Sequence, residues 1–150
     1  MGVLRVVIDN MILDKIVDDP TRLAQIEGLV RDCQVELLLT SRQCEERDAA
    51  APTRAAELQR VPVKVIGSSP FILDVSRLDL DRLGSSEPYD SLRARASNPR
   101  HLNDHQGVST ASEERAPFVT EDDRIHKHAA GLTHVVLWRW DDLARELDAL

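Results

Sequence analysis

Five short apolar runs punctuate the chain: Arg5 to Ile8, Val35 to Leu39, Val63 to Ile66, Phe118 to Thr120 and Val135 to Trp138. Each reads as a strand, and the segments between them carry helix signals. Strands alternating with helices imply a central, mostly parallel sheet of about five strands with helices on both faces, an α/β architecture in three layers. In such a sheet, ligands bind in the crevice at the C-terminal ends of the strands.

The helix signals are local. Met11 to Val17 forms a short helix after the first strand, and Asp19-Pro20-Thr21 starts another towards Arg31, with Asp19 as N-cap and Pro20 at the first helical position. Thr40 or Ser41 caps the helix after the second strand, where Thr40-x-x-Gln43 fits a capping box. Pro52 to Gln59 is a further helix. From about Asn103 to Glu114, Asp104, Gly107, Val108 and Ala111 share one helical face, and the small residues allow close packing on a sheet. Asp122 to Ala130 follows the fourth strand. Asp141 or Asp142 begins the last helix, with Leu143, Leu147 and Leu150 as its apolar stripe. Between Gly67 and Pro99 periodicity fades around short candidates at Phe71 to Val75 and Tyr89 to Arg95. That stretch fits a functional loop or flap.

At 150 residues, with no Gly-, Ser- or Pro-rich divider, the chain reads as one domain over 1–150. Its 42% hydrophobic and 30% charged residues are ordinary for a globular protein and indicate neither disorder nor a fibrous repeat. The start lacks the pattern of a secretory signal, and no run approaches the roughly 20 apolar residues that span a bilayer. A cytoplasmic protein without membrane contact is expected. Cys33 and Cys44 lack CxxC spacing and are expected as buried free thiols. The net charge of −7 argues against a broad nucleic-acid-binding surface. Several of those carboxylates gathered around divalent ions would leave the rest of the chain only mildly acidic.

Four acids fall on the predicted C-terminal edge of the sheet. Asp9 ends the first strand, Asp122 follows the fourth, and Glu46 and Asp104 lie one or two turns beyond strand ends. Each has a structural alternative. Asp9 could be turn chemistry, Asp122 and Asp104 could favour helix N-termini, and Glu46 or its neighbour Glu45 could be solvated. Thr120 with Asp123 three residues later would also account for a cap. Together they make a hard-oxygen set of the kind Mg²⁺ prefers to soft ligands. His126 and His128, two apart, do not share a helical face and read as surface residues. Arg93, Arg95, Arg100 and Arg115 lie around the third acid and could hold phosphates or form a solvated basic face. Neither GxxxxGK[ST] nor GxGxxG occurs, which removes the common nucleotide-binding loops.

These segments resemble the PIN-like domain nucleases over nearly the whole chain. Val6-Val7-Ile8-Asp9-Asn10 is similar to the family's opening strand and first acid, and Leu39-Thr40 through Glu46 to its strand-turn-helix with the second. Arg100-His101-Leu102-Asn103-Asp104 resembles the segment bearing the third acid, and Val119-Thr120-Glu121-Asp122-Asp123 its Thr-x-Asp motif. The chain departs from the family in having Asn10 and Met11 where Thr or Ser and then Asn are common. His105-Gln106-Gly107 stands in place of more apolar residues, which would weaken that helix.

The resemblance implies a Rossmann-like sandwich, Mg²⁺ or Mn²⁺ as cofactor and RNA as substrate. Asp9, Glu46, Asp104 and Asp122 would hold one or two ions, Asn10, Thr120 and Asp123 would support them, and Arg42, Arg100 and Arg124 are candidates for substrate phosphates. An inhibitory antitoxin-like protein is a candidate partner, and a homodimer is compatible with the sequence. The competing reading is a non-catalytic PIN-like module that binds RNA or a protein. A receiver- or phosphatase-like domain phosphorylated at Asp9 lacks the second acid it would need at Met11.

Overall fold

The computed structural model describes residues 2–68, 102–132 and 134–150, the side chains of 102–104 excepted. Five strands form the sheet: β1 (Leu4–Ile8), β2 (Val35–Thr40), β3 (Val63–Ile66), β4 (Phe118–Val119) and β5 (Leu137–Trp138). Their order is β3-β2-β1-β4-β5, and every pairing is parallel. Val7 faces Leu38 on one side and Phe118 on the other, so β1 is the centre of the sheet. The order reverses between β1 and β4. That is the switch point where an open parallel sheet leaves a crevice at its C-terminal edge.

Helices α1 (Asn10–Asp18), α2 (Pro20–Arg31), α3 (Ser41–Asp48) and α4 (Pro52–Leu58) follow the first two strands, and α5 (Leu102–Glu114), α6 (Asp123–His128) and α7 (Trp140–Asp148) belong to the second half. Side chains alternate along each strand, so the core divides into two layers. Val6, Ile8, Leu37 and Leu39 pack with Ile12, Ile16, Ile26, Leu58, Leu143 and Leu147. Val7, Leu38 and Phe118 pack on the other face with Val108, Ala111, Ile125 and Ala129. The sandwich therefore sets α1, α2, α4 and α7 against α5 and α6. Gly107 of α5 meets the ring of Phe118, where a Cβ would lie 3.0 Å from Cε2 and Cζ.

Several boundaries were legible. Asp19 caps α2 through its side chain, which accepts from the Arg22 N–H at 3.0 Å, and Pro20 opens the helix. α5 forms despite His105-Gln106-Gly107, and both polar residues are buried within it.

Other expectations are corrected. The last helix starts at Trp140 with Arg139 as cap, and Asp142 accepts the Arg139 N–H, so Asp141 and Asp142 fill its first turn. Leu143 and Leu147 are buried, whereas Leu150 lies beyond the helix end and is 45% exposed. Neither cysteine is fully buried. Cys33 sits at φ 58° in a Schellman-type helix end, with its N–H on Val30 O and the Gln34 N–H on Leu29 O, and this turn sends its side chain to solvent. Cys44 is half-buried, and burial raises its thiol pKa. Arg115 likewise occupies a helix-ending turn at φ 54°. Arg93 and Arg95, with the loop candidates at Phe71 to Val75 and Tyr89 to Arg95, lie outside the described residues. Among the described residues no helix is long and apolar enough to cross a membrane.

Candidate functional site

Asp9 stands at the C-terminal end of the central strand and is only 5% exposed. A buried carboxylate is costly without donors, and donors reach both oxygens of this one. The Ile12 N–H donates to Oδ1 at 3.0 Å, which makes Asp9 the N-cap of α1. The Thr120 hydroxyl donates to Oδ2 at 2.5 Å from the end of β4, across the switch point. Thr120 is fully buried, and its oxygen also accepts the Asp122 N–H at 3.1 Å.

Asn10 joins this corner to α3. Its Nδ2 donates to the Gln43 carbonyl at 3.0 Å and to Glu46 Oε2 at 3.3 Å, while its N–H donates to Gln43 Oε1 at 3.2 Å. The bond to a carbonyl identifies Nδ2 as the nitrogen end of the amide. The other end, Oδ1, is buried without a hydrogen-bond partner among the described residues. Glu45 and Glu46 separate on the helix surface: Glu45 pairs with Arg42 at 2.7 Å, and Glu46 reaches Asn10. The helix places Glu46, not Glu45, beside the Asp9 corner.

Thr40 caps α3 by accepting the Gln43 N–H at 3.2 Å, as half of the expected capping box would require. The other half does not form, because the Gln43 side chain is turned to Asn10 instead of back to Thr40. Ser68, just beyond β3, shares a hydrogen bond of 2.9 Å with Ser41 and accepts the Arg42 N–H at 3.3 Å, so the end of β3 is tied to the start of α3.

Asp122 is the N-cap of α6, its Oδ1 accepting the Arg124 N–H at 2.9 Å. The Arg124 guanidinium also closes on it, at 3.0 Å to Oδ2. Asp122, not Thr120 with Asp123, thus supplies the cap. Asp123 is well exposed and paired with Arg139 at 2.7 Å. Two of the candidate phosphate-binding residues, Arg42 and Arg124, are therefore engaged with acids of the site region. Asp104 falls in the first turn of α5, with its side chain outside the described residues, and Arg100 lies outside them altogether.

His126 is not simply a surface residue. Its Nε2–H donates to the Thr120 carbonyl at 2.8 Å, beside the Asp9 contact. His128 packs its ring edge-on to that of buried His105, with centroids 6.0 Å apart. Gln43, expected as half of a capping box, and His126, expected as a surface residue, both turn towards this corner instead.

Asp9, Asn10, Glu46 and Thr120 come together through direct or adjacent bonds, and Asp122 joins them through Thr120. Among the described residues, no three His, Cys, Asp or Glu side chains lie close enough together to hold one ion. The oxygens of Asp9 and Glu46 and the unpartnered Asn10 Oδ1 nevertheless make a hard-donor set of the chemistry that suits Mg²⁺ or Mn²⁺. A cavity of about 370 Å³, lined by Val3, Val35, Leu37 and Val63 among others, opens at the opposite ends of the strands.

Comparison with known proteins separates fold from sequence. No family model and no curated protein sequence matches the chain. Solved structures do match over nearly its whole length, two of them as follows. PAE2754 from Pyrobaculum aerophilum aligns with a TM-score of 0.56 and 14% identity, covering 98% of this chain and 97% of that one. VapBC2 from Rickettsia felis, bound to a DNA fragment from their promoter, aligns with a TM-score of 0.57 and 14% identity, covering 92% of this chain and 100% of that one. The fold is PIN-like. In this PIN-like sandwich the segments Val6 to Asn10 and Val119 to Asp123 run from β1 into α1 and from β4 into α6, the two strands that flank the switch point.

Proposed function

We propose that the protein is a divalent-metal-dependent endoribonuclease whose centre is the Asp9 corner. The observation that carries this reading is the hydrogen bond from Thr120 to Asp9 across the switch point, with Asn10 linking the same corner to Glu46. Asp9, Glu46, Asp104 and Asp122 would hold Mg²⁺ or Mn²⁺, and Asn10 Oδ1 adds a neutral oxygen. When bound, such an ion supplies Lewis-acid stabilisation of charge on a scissile phosphate and activates water for in-line attack.

The chain's own residues supply orientation. Thr120 and the Ile12 N–H hold the two Asp9 oxygens in fixed directions, which avoids reorganisation during reaction. Asn10 fixes Glu46. Arg42 and Arg124 stand beside the acids and would exchange their carboxylate partners for substrate phosphates. An inhibitory antitoxin-like protein belongs to the same proposal, supported by the fold shared with VapBC2, and so does action in the cytoplasm.

The second reading is a non-catalytic PIN-like module that binds RNA or a protein partner. It is favoured by the use of Asp122 as a helix cap paired with Arg124. Incubating purified protein with labelled single-stranded and structured RNAs in Mg²⁺ or Mn²⁺ tests the two. Cleavage abolished by EDTA supports the nuclease. RNA bound but left intact in both metals supports the binding module.

A further inference from the structure

We propose that Gln43 is a positioning residue for the acidic centre, setting where Asp9 and Asn10 stand relative to Glu46. The inference rests on the ribonuclease reading above and adds a residue to it. Gln43 is 2% exposed, an unusual place for an amide that most often lies at the surface. It grips Asn10 twice, with Oε1 accepting the backbone N–H and its own carbonyl accepting Nδ2.

The Asn10 N–H is one of the donors at the start of α1 that no residue of that helix can satisfy. Gln43 satisfies it from α3, 33 residues away. The peptide joining Asp9 to Asn10 is thereby fixed against α3, and the Asp9 carboxylate projects from that peptide. One helical turn later, α3 presents Glu46 to the same Asn10 side chain. Moving the Gln43 side chain would shift the first acid relative to the second. The bond from Asn10 Nδ2 runs to the Gln43 backbone carbonyl and survives that change, so the loss falls on the Asn10 N–H alone. Gln43 acts through Asn10 and Asp9, not on substrate.

The test uses the full-length chain labelled with ¹⁵N, with hydrogen exchange read at the Asn10 amide and cleavage of RNA followed in Mn²⁺. Gln43→Met keeps the length and removes the accepting oxygen. Exchange at Asn10 should accelerate, and kcat should fall about tenfold with KM within about twofold, the pattern of displaced catalytic geometry with intact binding. Gln43→Glu, which keeps an acceptor, should restore protection and most of the turnover. If Gln43→Met does not fold, Gln43→Asn withdraws the same oxygen with less change in polarity. Faster exchange with unchanged kcat overturns the positioning role, and unchanged exchange overturns the bond itself. Wild-type protein that cleaves no RNA overturns the ribonuclease reading and this role with it, a result told apart because the unmutated chain is then silent.

Discussion

The Thr120 hydroxyl donates to Asp9 Oδ2, joining residues 111 positions apart at the ends of neighbouring parallel strands. Thr120 accepts the Asp122 N–H with the same oxygen and offers its carbonyl to His126. One side chain therefore links the first acid to the strand-helix turn that carries the last.

Thr120→Val removes that link while keeping shape. It removes a donor to Asp9 Oδ2 and the acceptor of the Asp122 N–H, which should cost about 1–3 kcal/mol. For a chain of this size, each kcal/mol lowers the melting temperature by roughly 2–4 °C. Thr120→Ser should retain most of the stability. Thermal melting of the three proteins checks this, and an unshifted valine variant would remove the link from the account.

Glu46 and Glu45 should separate in function. Glu46→Gln should weaken Mn²⁺ binding or cleavage at least tenfold, because it alone of the two reaches the Asp9 corner. Glu45→Gln breaks a part-exposed pair with Arg42, worth less than about 1 kcal/mol, and should leave both nearly intact. Asp123→Asn should also retain activity, since Asp123 is exposed and turned to Arg139. Calorimetric titration with Mn²⁺ distinguishes them, and the reverse ranking would move the second acid to Glu45.

Gly107→Ala tests the packing of α5 on the sheet. The added methyl would lie 3.0 Å from the buried Phe118 ring, tight enough that the ring must shift to admit it. Overpacking of this kind costs about 1–3 kcal/mol. A melting temperature equal to or above that of the wild type would show that the ring yields.

Much of this was legible because it is local. The Asp19-Pro20 helix start, the small-residue face of α5 and the strand ends carrying Asp9 and Thr120 depend on neighbours within a turn. What escaped depends on distant partners. Gln43 in a Thr-x-x-Gln pattern reads as a capping box, yet its side chain is claimed by Asn10 from another helix. His126 reads as a surface histidine until β4 and α6 bring Nε2 onto the Thr120 carbonyl. Cys33 sits where helix ends usually place glycine, and only the turn itself reveals its exposure.

Acid should destabilise the fold through named carboxyls. The Arg139 N–H and Arg145 hold the Asp142 carboxyl below its ordinary range, and Lys64 with Arg5 does the same for Glu36. A carboxyl depressed in the folded state contributes its full stability above the unfolded value, about 4, and loses it as pH falls through the folded value. The melting temperature should hold above about pH 5 and decline below it. Asp142→Ala should lower it at neutral pH and make the acid decline shallower. A variant curve parallel to the wild type at every pH would contradict this.

The most direct test of the central claim is anomalous scattering from crystals soaked in Mn²⁺. The account predicts a peak bonded to oxygens of Asp9 and Glu46, at the distance of about 2.0–2.3 Å expected for small divalent ions on oxygen. The same map shows whether Asp104, Asp122 and Asn10 Oδ1 complete the shell. A map with no peak at the Asp9 corner at millimolar Mn²⁺, or with its peak elsewhere on the molecule, would contradict it.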